Sequence, residues 1–151
     1  MLPQRFDVRY VDARGERRHV VMLHRALFGS IERFLGILLE HHGAALPAWL
    51  APDQVAVIPV SASHADAAGA AHDRLVRAGL RSRLDADGGT LSRRIAAAHH
   101  DGVPFAVIVG DRERSEQTLS VRGRDGRWTA PADDAVAELV RRCAVPGGAA
   151  P

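Results

Sequence analysis

The 151 residues give room for one domain, or for one small domain carrying a piece of another, and a hydrophobic content of 46% is enough for a packed core. The chain has no lysine, so its 20 basic residues are all arginine; against 18 acids they leave a net charge of +2, which permits a nucleic-acid partner without arguing for one. Cys143 is the single cysteine, which excludes an internal disulfide and a multi-cysteine zinc site; no apolar run is long enough to span a bilayer, so a cytoplasmic protein with no membrane partner is expected.

Arg5 to Val11 alternates, with Phe6, Val8 and Tyr10 on one face, and Arg17 to Leu23 is a second extended run. Asp12-Ala13-Arg14-Gly15 between them reads as a hairpin connection, so the chain should open with an antiparallel pair. From Met22 a short strand leads to a tight break at Gly29 and then to an amphipathic helix ending at Gly43. Ser30 holds its N-cap position, and Ile31, Phe34, Leu35, Leu38 and Leu39 recur as one apolar stripe. Pro47 and Pro52 mark a connector. The expected division is residues 1–46, residues 47–145, and a disordered tail from Pro146 to Pro151.

Val55 to Val60 is the continuous apolar run of a strand buried on both faces. Ser63 is expected to cap the next helix, with Asp66 in capping-box position and Gly79 at its end. Arg81 to Asp85 reads as a strand, Leu91 to His100 as a helix, Phe105 to Val109 as a strand, and Leu119 to Arg124 as a further strand after a charged loop. Pro131 to Cys143 is the closing helix, with Pro131 in its first turn. The succession β-α-β-α-β implies an α/β fold with a largely parallel sheet, the last strand antiparallel to its predecessor, and helices on both faces.

Arg33 lies in the first turn of the Ser30 helix, where the macrodipole disfavours a cation. It is either a solvated surface arginine or a guanidinium aimed, together with the helix N-terminus, at an anion such as a phosphate. The run His24-Arg25-Ala26-Leu27-Phe28-Gly29-Ser30-Ile31-Glu32-Arg33-Phe34 resembles the third signature motif of class II aminoacyl-tRNA synthetases, in the form found in threonyl-tRNA synthetases. Leu2 to Asp7 with Tyr10-Val11-Asp12 is similar to the strand entering that motif, and Trp49 to Val55 to the passage into the family's anticodon-binding domain. His64-Ala65-Asp66, Val103-Pro104-Phe105, Val109-Gly110-Asp111 and Ser120-Val121-Arg122 follow in family order and spacing. The fold implied is an antiparallel hairpin and motif helix from a class II synthetase sheet, followed by a Rossmann-like, mixed-sheet anticodon-binding domain.

By that resemblance Arg33 contacts the phosphate tail of ATP, Ser30 lines the threonine pocket, and His24 takes the place of one zinc ligand. The chain lacks the first two class II motifs and the editing domain, and one imidazole does not make a zinc site. No cofactor is therefore expected on this chain alone, although the complete family enzyme uses ATP, magnesium and zinc. Of the family's anticodon contacts Arg124 is retained. An Asn-Glu-Lys type sequence has become Gly88-Gly89-Thr90, a helical arginine Ala96, and an acid Ser115, with Glu116 beside it. Arg93 and Arg94 on the same helix are candidates to replace what is lost. Arg112, Arg114, Arg122, Arg124 and Arg127 gather around the last hairpin, either as an RNA-phosphate surface or as a solvated guard on an edge strand, and alternation puts Arg122 and Arg124 on one face.

The function implied is that of the C-terminal part of a threonyl-tRNA synthetase-like protein, binding tRNA and unable to charge it alone. Its expected partners are tRNA and either a second copy or another chain that completes the catalytic domain. A tRNA-binding module without enzymatic activity, and a protein-interaction domain whose RNA contacts have degenerated, are the alternatives.

Overall fold

The computed structural model describes residues 2–43, 45–86 and 88–147. The chain divides into two compact units, one up to Leu38 and one from Leu39 onward.

In the first unit a helical turn, α1 (Leu2–Arg5), precedes a hairpin of β1 (Arg9–Val11) and β2 (Arg17–His19). The pair is antiparallel, with Tyr10 opposite Arg18. Asp12 closes the turn by accepting from the backbone N–H groups of Arg14 and Glu16 at 2.9 and 3.0 Å. The strands are shorter than their alternation suggests. Arg5 belongs to α1, Asp7 takes a left-handed conformation (φ 46°), and no strand forms over Met22 to Leu23. Gly29, at φ 67°, makes the expected break before α2 (Ile31–His42). Ser30 Oγ caps that helix by accepting from Arg33 N at 3.2 Å, and the ring of Phe28 lies 4.5 Å from that of Phe34. Much of the unit's apolar surface faces outward: Leu23 is 92% exposed, and Phe6, Val21, Leu27 and Ile31 are exposed too.

The second unit is a five-stranded sheet in the order β4-β3-β5-β6-β7, built from β3 (Val55–Pro59), β4 (Ser82–Leu84), β5 (Phe105–Val109), β6 (Thr118–Gly123) and β7 (Gly126–Pro131). The first three run parallel; β6 and β7 return antiparallel. Strands β3 and β5 are buried along their whole length, because helices cover both faces. Val55, Val57, Val107, Leu119 and Val121 meet Leu75 of α3 (Ala65–Arg77) and Leu139 of α6 (Ala132–Arg142) on one side. Ala56, Ile58, Ala106 and Ile108 meet Ile95 and Ala98 of α4 (Leu91–His100) on the other. Each large aliphatic side chain so buried stabilises by roughly 1.5–3 kcal/mol.

Three elements differ from expectation. The start of α3 is set by Ser61, two residues before the expected Ser63, through a 3-10 turn in which His64 Nδ1 accepts from Ser61 N at 3.2 Å. The charged stretch after β5 contains a short helix, α5 (Asp111–Glu116), and Arg124-Asp125 is a two-residue turn into the additional strand β7. The tail expected from Pro146 is described only through Gly147, as a turn; residues 148–151 lie outside the described residues.

The connector is tied to the sheet rather than loose. Arg81 Nη2 donates to the carbonyls of Trp49 and Ala51, each at 2.8 Å, and Gln54 Nε2 donates to Ala48 O at 3.0 Å. Gln54 Oε1 in turn accepts from Arg81 N at 3.1 Å.

Candidate nucleic-acid interface

Open α/β sheets usually bind ligands where the strand order reverses, in the crevice at the C-terminal ends of two parallel strands. Here that crevice lies between β3 and β5, and the chain's own side chains fill it. His64 is 4% exposed and stands 3.1 Å, through Nε2, from Asp111 Oδ1. A Cβ built on Gly110 would meet Val60 Cγ2 at 3.0 Å and Glu113 Oε2 at 3.1 Å. Since Ser61 N–H can only donate, His64 Nδ1 must accept there, which leaves Nε2–H directed at Asp111. The contact with His64 holds the Asp111 carboxyl below its ordinary value.

The accessible polar surface is one strand further along. Leu119 and Val121 of β6 point into the core with α3 and α6, so Ser120 and Arg122 take the opposite face, which α4 covers only over β3 and β5. There Ser120 pairs with Thr129 and Arg122 with Arg127 in the β6–β7 register. Ser120 Oγ lies 2.9 Å from Thr129 Oγ1 and donates to Glu113 Oε1 at 2.6 Å. Glu113 Oε2 also accepts from Gly110 N at 3.0 Å. Burial pushes the Glu113 carboxyl up, but these hydrogen bonds outweigh it and hold the carboxyl below its ordinary value. Arg112, Arg122, Arg127 and Thr129 line a cleft of about 530 Å³ over this face.

Two positive charges directly opposite each other across a ladder repel by roughly 0.2–1 kcal/mol. Neither Arg122 nor Arg127 takes part in an ion pair among the described residues. Arg112 has Glu116 at 3.2 Å, Arg114 has Asp111 at 3.4 Å, and Arg141 and Arg142 share Glu138 at 2.6 Å. An exposed, opposed and unneutralised pair of guanidinium groups is chemistry suited to an anion.

The other residues singled out from sequence fall in different settings. Arg93 is exposed on α4, likewise without an ion pair among the described residues, and its stem passes 3.8 Å from where a Cβ on Gly89 would stand. Arg94, one position on, is 8% exposed and turned inward: Nη2 donates to Pro59 O at 2.6 Å and Val60 O at 3.4 Å, and Nη1 to Asp85 O at 3.4 Å. Arg124 does not join Arg122. From the β6–β7 turn its Nη1 reaches Leu46 O at 3.5 Å, beside Pro104, Phe105 and Arg142. Strand alternation stops at Gly123, so the shared face expected of Arg122 and Arg124 does not form. Thr90 Oγ1 caps α4 by accepting from Arg93 N at 3.3 Å, and Ala96 and Ser115 are exposed.

In the first unit Arg33 and His24 are exposed, and Ser30 Oγ is engaged in the helix cap. Among the described residues no group of three His, Cys, Asp or Glu side chains is placed to hold a metal ion, so His24 has no companions for zinc. No helix among them is long and apolar enough to cross a membrane.

The family described as anticodon binding domain matches residues 54–142, and the class II tRNA synthetase core domain family (G, H, P, S and T) matches residues 1–42. The threonine–tRNA ligase catalytic subunit of Metallosphaera sedula is 47% identical over 123 residues, which are 82% of this chain and 23% of that protein. The threonine–tRNA ligase of Micrococcus luteus is 43% identical over 142 residues, 93% of this chain and 21% of that protein. The crystal structure of the RNA binding domain of threonyl-tRNA synthetase from Cryptosporidium parvum Iowa II superposes with a TM-score of 0.79 at 28% identity, covering 93% of this chain and 36% of that one. The chain thus spans about a fifth of the length of the curated relatives it matches.

Proposed function

For a chain that belongs to the anticodon-binding-domain family, with a stretch of class II synthetase core ahead of that domain, we propose a tRNA-binding role in threonylation. The observation that carries this reading is the Arg122–Arg127 pair, two uncompensated cations set across one ladder on an open sheet face. With Arg93 it supplies charge for the RNA backbone, and Arg124 lies in the adjoining turn. Arg94 serves indirectly, by fixing the ends of β3 and β4 beneath the first turn of α4, which carries Arg93. The activity belongs in the cytoplasm, where tRNA is charged.

The first unit is proposed to take part in ATP and threonine binding through Arg33 and Ser30, but only within a complete class II site. Adenylate formation requires further cations on the α-phosphate and acids for magnesium, which one arginine and one serine do not supply. Zinc does not fit the side chains among the described residues, where His24 is a lone imidazole. The exposure of Phe6, Val21, Leu23 and Ile31 favours an apolar protein surface as the partner of this unit.

The test is filter binding of the full chain to a tRNA transcript over 50–300 mM salt, set beside threonine-dependent ATP–pyrophosphate exchange. Tight binding with a steep salt dependence and no exchange by the chain alone is expected. A tRNA affinity independent of salt, or robust exchange by the isolated chain, would overturn the reading.

A further inference from the structure

On the side of the sheet away from the Arg122–Arg127 pair, a cavity of about 440 Å³ opens between α3, α5 and the first turn of α6. Small residues on one stripe of α3 make room for it: Ala67, Ala70 and Ala71 share a side of the helix, with Arg74 a turn further on. Buried Val109 and Leu119 form its floor, and Pro131 adds a second apolar wall. The frame is fixed before any ligand arrives. Gln117 turns the chain in the left-handed region at φ 52°, and its carbonyl accepts from Ala132 N at 3.0 Å, which ties the end of α5 to the start of α6. The volume is that of pockets that take small organic molecules.

The rim carries charge of both signs. Arg74 Nη1 lies 3.3 Å from Asp133 Oδ1, in a pair whose carboxylate is 92% exposed. Exposed pairs of this kind hold weakly. A ligand with an ammonium and a carboxylate together can open the pair and leave every charge with a partner, its carboxylate on Arg74 and its ammonium on Asp133. A simple anion would strand Asp133, and a simple cation would strand Arg74. Below the rim the alanine stripe has no branches, which suits a planar ring. Thr118, in the wall, has its Oγ1 enclosed with no hydrogen-bond partner among the described residues. A buried hydroxyl left in this way calls for a partner, and an occupant of the cavity with a hydroxyl of its own supplies one.

We infer that this cavity binds a free α-amino acid with an aromatic, hydroxyl-bearing side chain, of which tyrosine is the type. The ring lies on the Ala67–Ala70–Ala71 stripe and the zwitterion inserts into the Arg74–Asp133 pair. The phenol pairs with Thr118 once that side chain turns about χ1. The site is independent of the RNA reading, because Leu119 in its floor packs with α3 and α6, whereas Arg122 takes the other face of β6.

The experiment follows the amide resonances of the full, isotope-labelled chain during titration with L-tyrosine, L-phenylalanine, tyramine and hydroxyphenylpropionate. L-Tyrosine is expected to move the amides of Ala70, Gln117 and Asp133 with a Kd below about 1 mM. Tyramine and hydroxyphenylpropionate, each lacking one charge of the zwitterion, should bind at least tenfold more weakly, and L-phenylalanine at least threefold more weakly. Asp133→Asn, on an exposed helix start where folding is not at risk, should weaken tyrosine about tenfold and leave hydroxyphenylpropionate within threefold. Ala67→Phe fills the cavity with the chain's own ring and should abolish the shifts. Absence of shifts at these amides with about 2 mM tyrosine, equal affinity for the four probes, or tyrosine binding that survives Ala67→Phe would overturn the site. So would a tyrosine affinity that Asp133→Asn leaves unmoved, which keeps the question decidable if Ala67→Phe fails to fold.

Discussion

Arg94 reaches from the first turn of α4 to the end of β3, where its Nη2 donates to the Pro59 carbonyl at 2.6 Å. The carbonyls of Val60 and Asp85 share the same guanidinium, so one buried cation satisfies acceptors at the ends of two neighbouring strands. Replacing it leaves those acceptors without a partner, at roughly 1–3 kcal/mol for a buried group. Arg94→Leu should therefore lower stability in urea by about 2–3 kcal/mol. Arg93→Gln, on the exposed side of the same turn, should stay within about 0.5 kcal/mol of the parent and weaken tRNA binding instead.

Glu113 links α5 to β6 through Ser120 and closes on Gly110 N. Hydrogen bonds to a charged acceptor contribute about 1.5–3 kcal/mol, and an amide keeps only part of them. Glu113→Gln should cost about 1–2 kcal/mol in urea denaturation and raise amide hydrogen exchange at Gly110, whereas the neighbouring Glu116→Gln, on the surface, should do neither.

Asp111 sets a pH dependence. Its carboxyl is held below the ordinary value by its contact with the neutral His64 ring, so the unfolded chain takes up the proton first as pH falls. The contribution is complete above the unfolded carboxylate value of about 3.9 and is lost as pH drops through the lower folded value. The stability difference between the parent and Asp111→Asn should be constant from pH 7 to pH 5 and shrink below pH 4. A difference that instead grew on acidification would show that the carboxyl is not held down.

The opposed arginines predict a separation of binding from folding. Arg122→Gln with Arg127→Gln should lower the slope of log affinity against log salt by about 1.5 for two lost phosphate contacts. The same double change should leave stability unchanged or raise it by up to about 1 kcal/mol, because a like-charge pair across the ladder is relieved. Filter binding and urea denaturation on the same preparation check both.

The parts of the fold with a strong periodic signal were legible. Val55–Pro59 and Phe105–Val109 read as doubly buried strands because nothing polar interrupts them, and Ser30 read as a cap because a break at Gly29 precedes an apolar stripe. The cap of α3 was misplaced because Ser61 and Ser63 both precede the helix, and the choice falls to His64, whose ring accepts from Ser61 N. Strand β7 was hidden by its composition: Gly126 to Pro131 carries a single large apolar residue, Trp128, and gains its place by pairing with β6. The roles of Arg93 and Arg94 needed coordinates, although a signal existed. Arg94 lies three residues after Leu91 and four before Ala98, on the stripe that faces the sheet, and Arg93 lies off it. The opposition of Arg122 and Arg127 follows from the register of a turn two residues long, which composition alone does not set.

Cys143 ends α6 beneath the sheet, 6% exposed, with burial pushing its thiol up to about 11 against the opposing influence of the Arg81 charge. At neutral pH almost none of it is thiolate, and the thiolate is the form that reacts. Alkylating reagents should thus leave the folded chain alone and modify it at the rate at which α6 comes away from Val121 and Leu75. The molecule carries its own clock for opening of the five-stranded unit, readable by mass spectrometry without any added label.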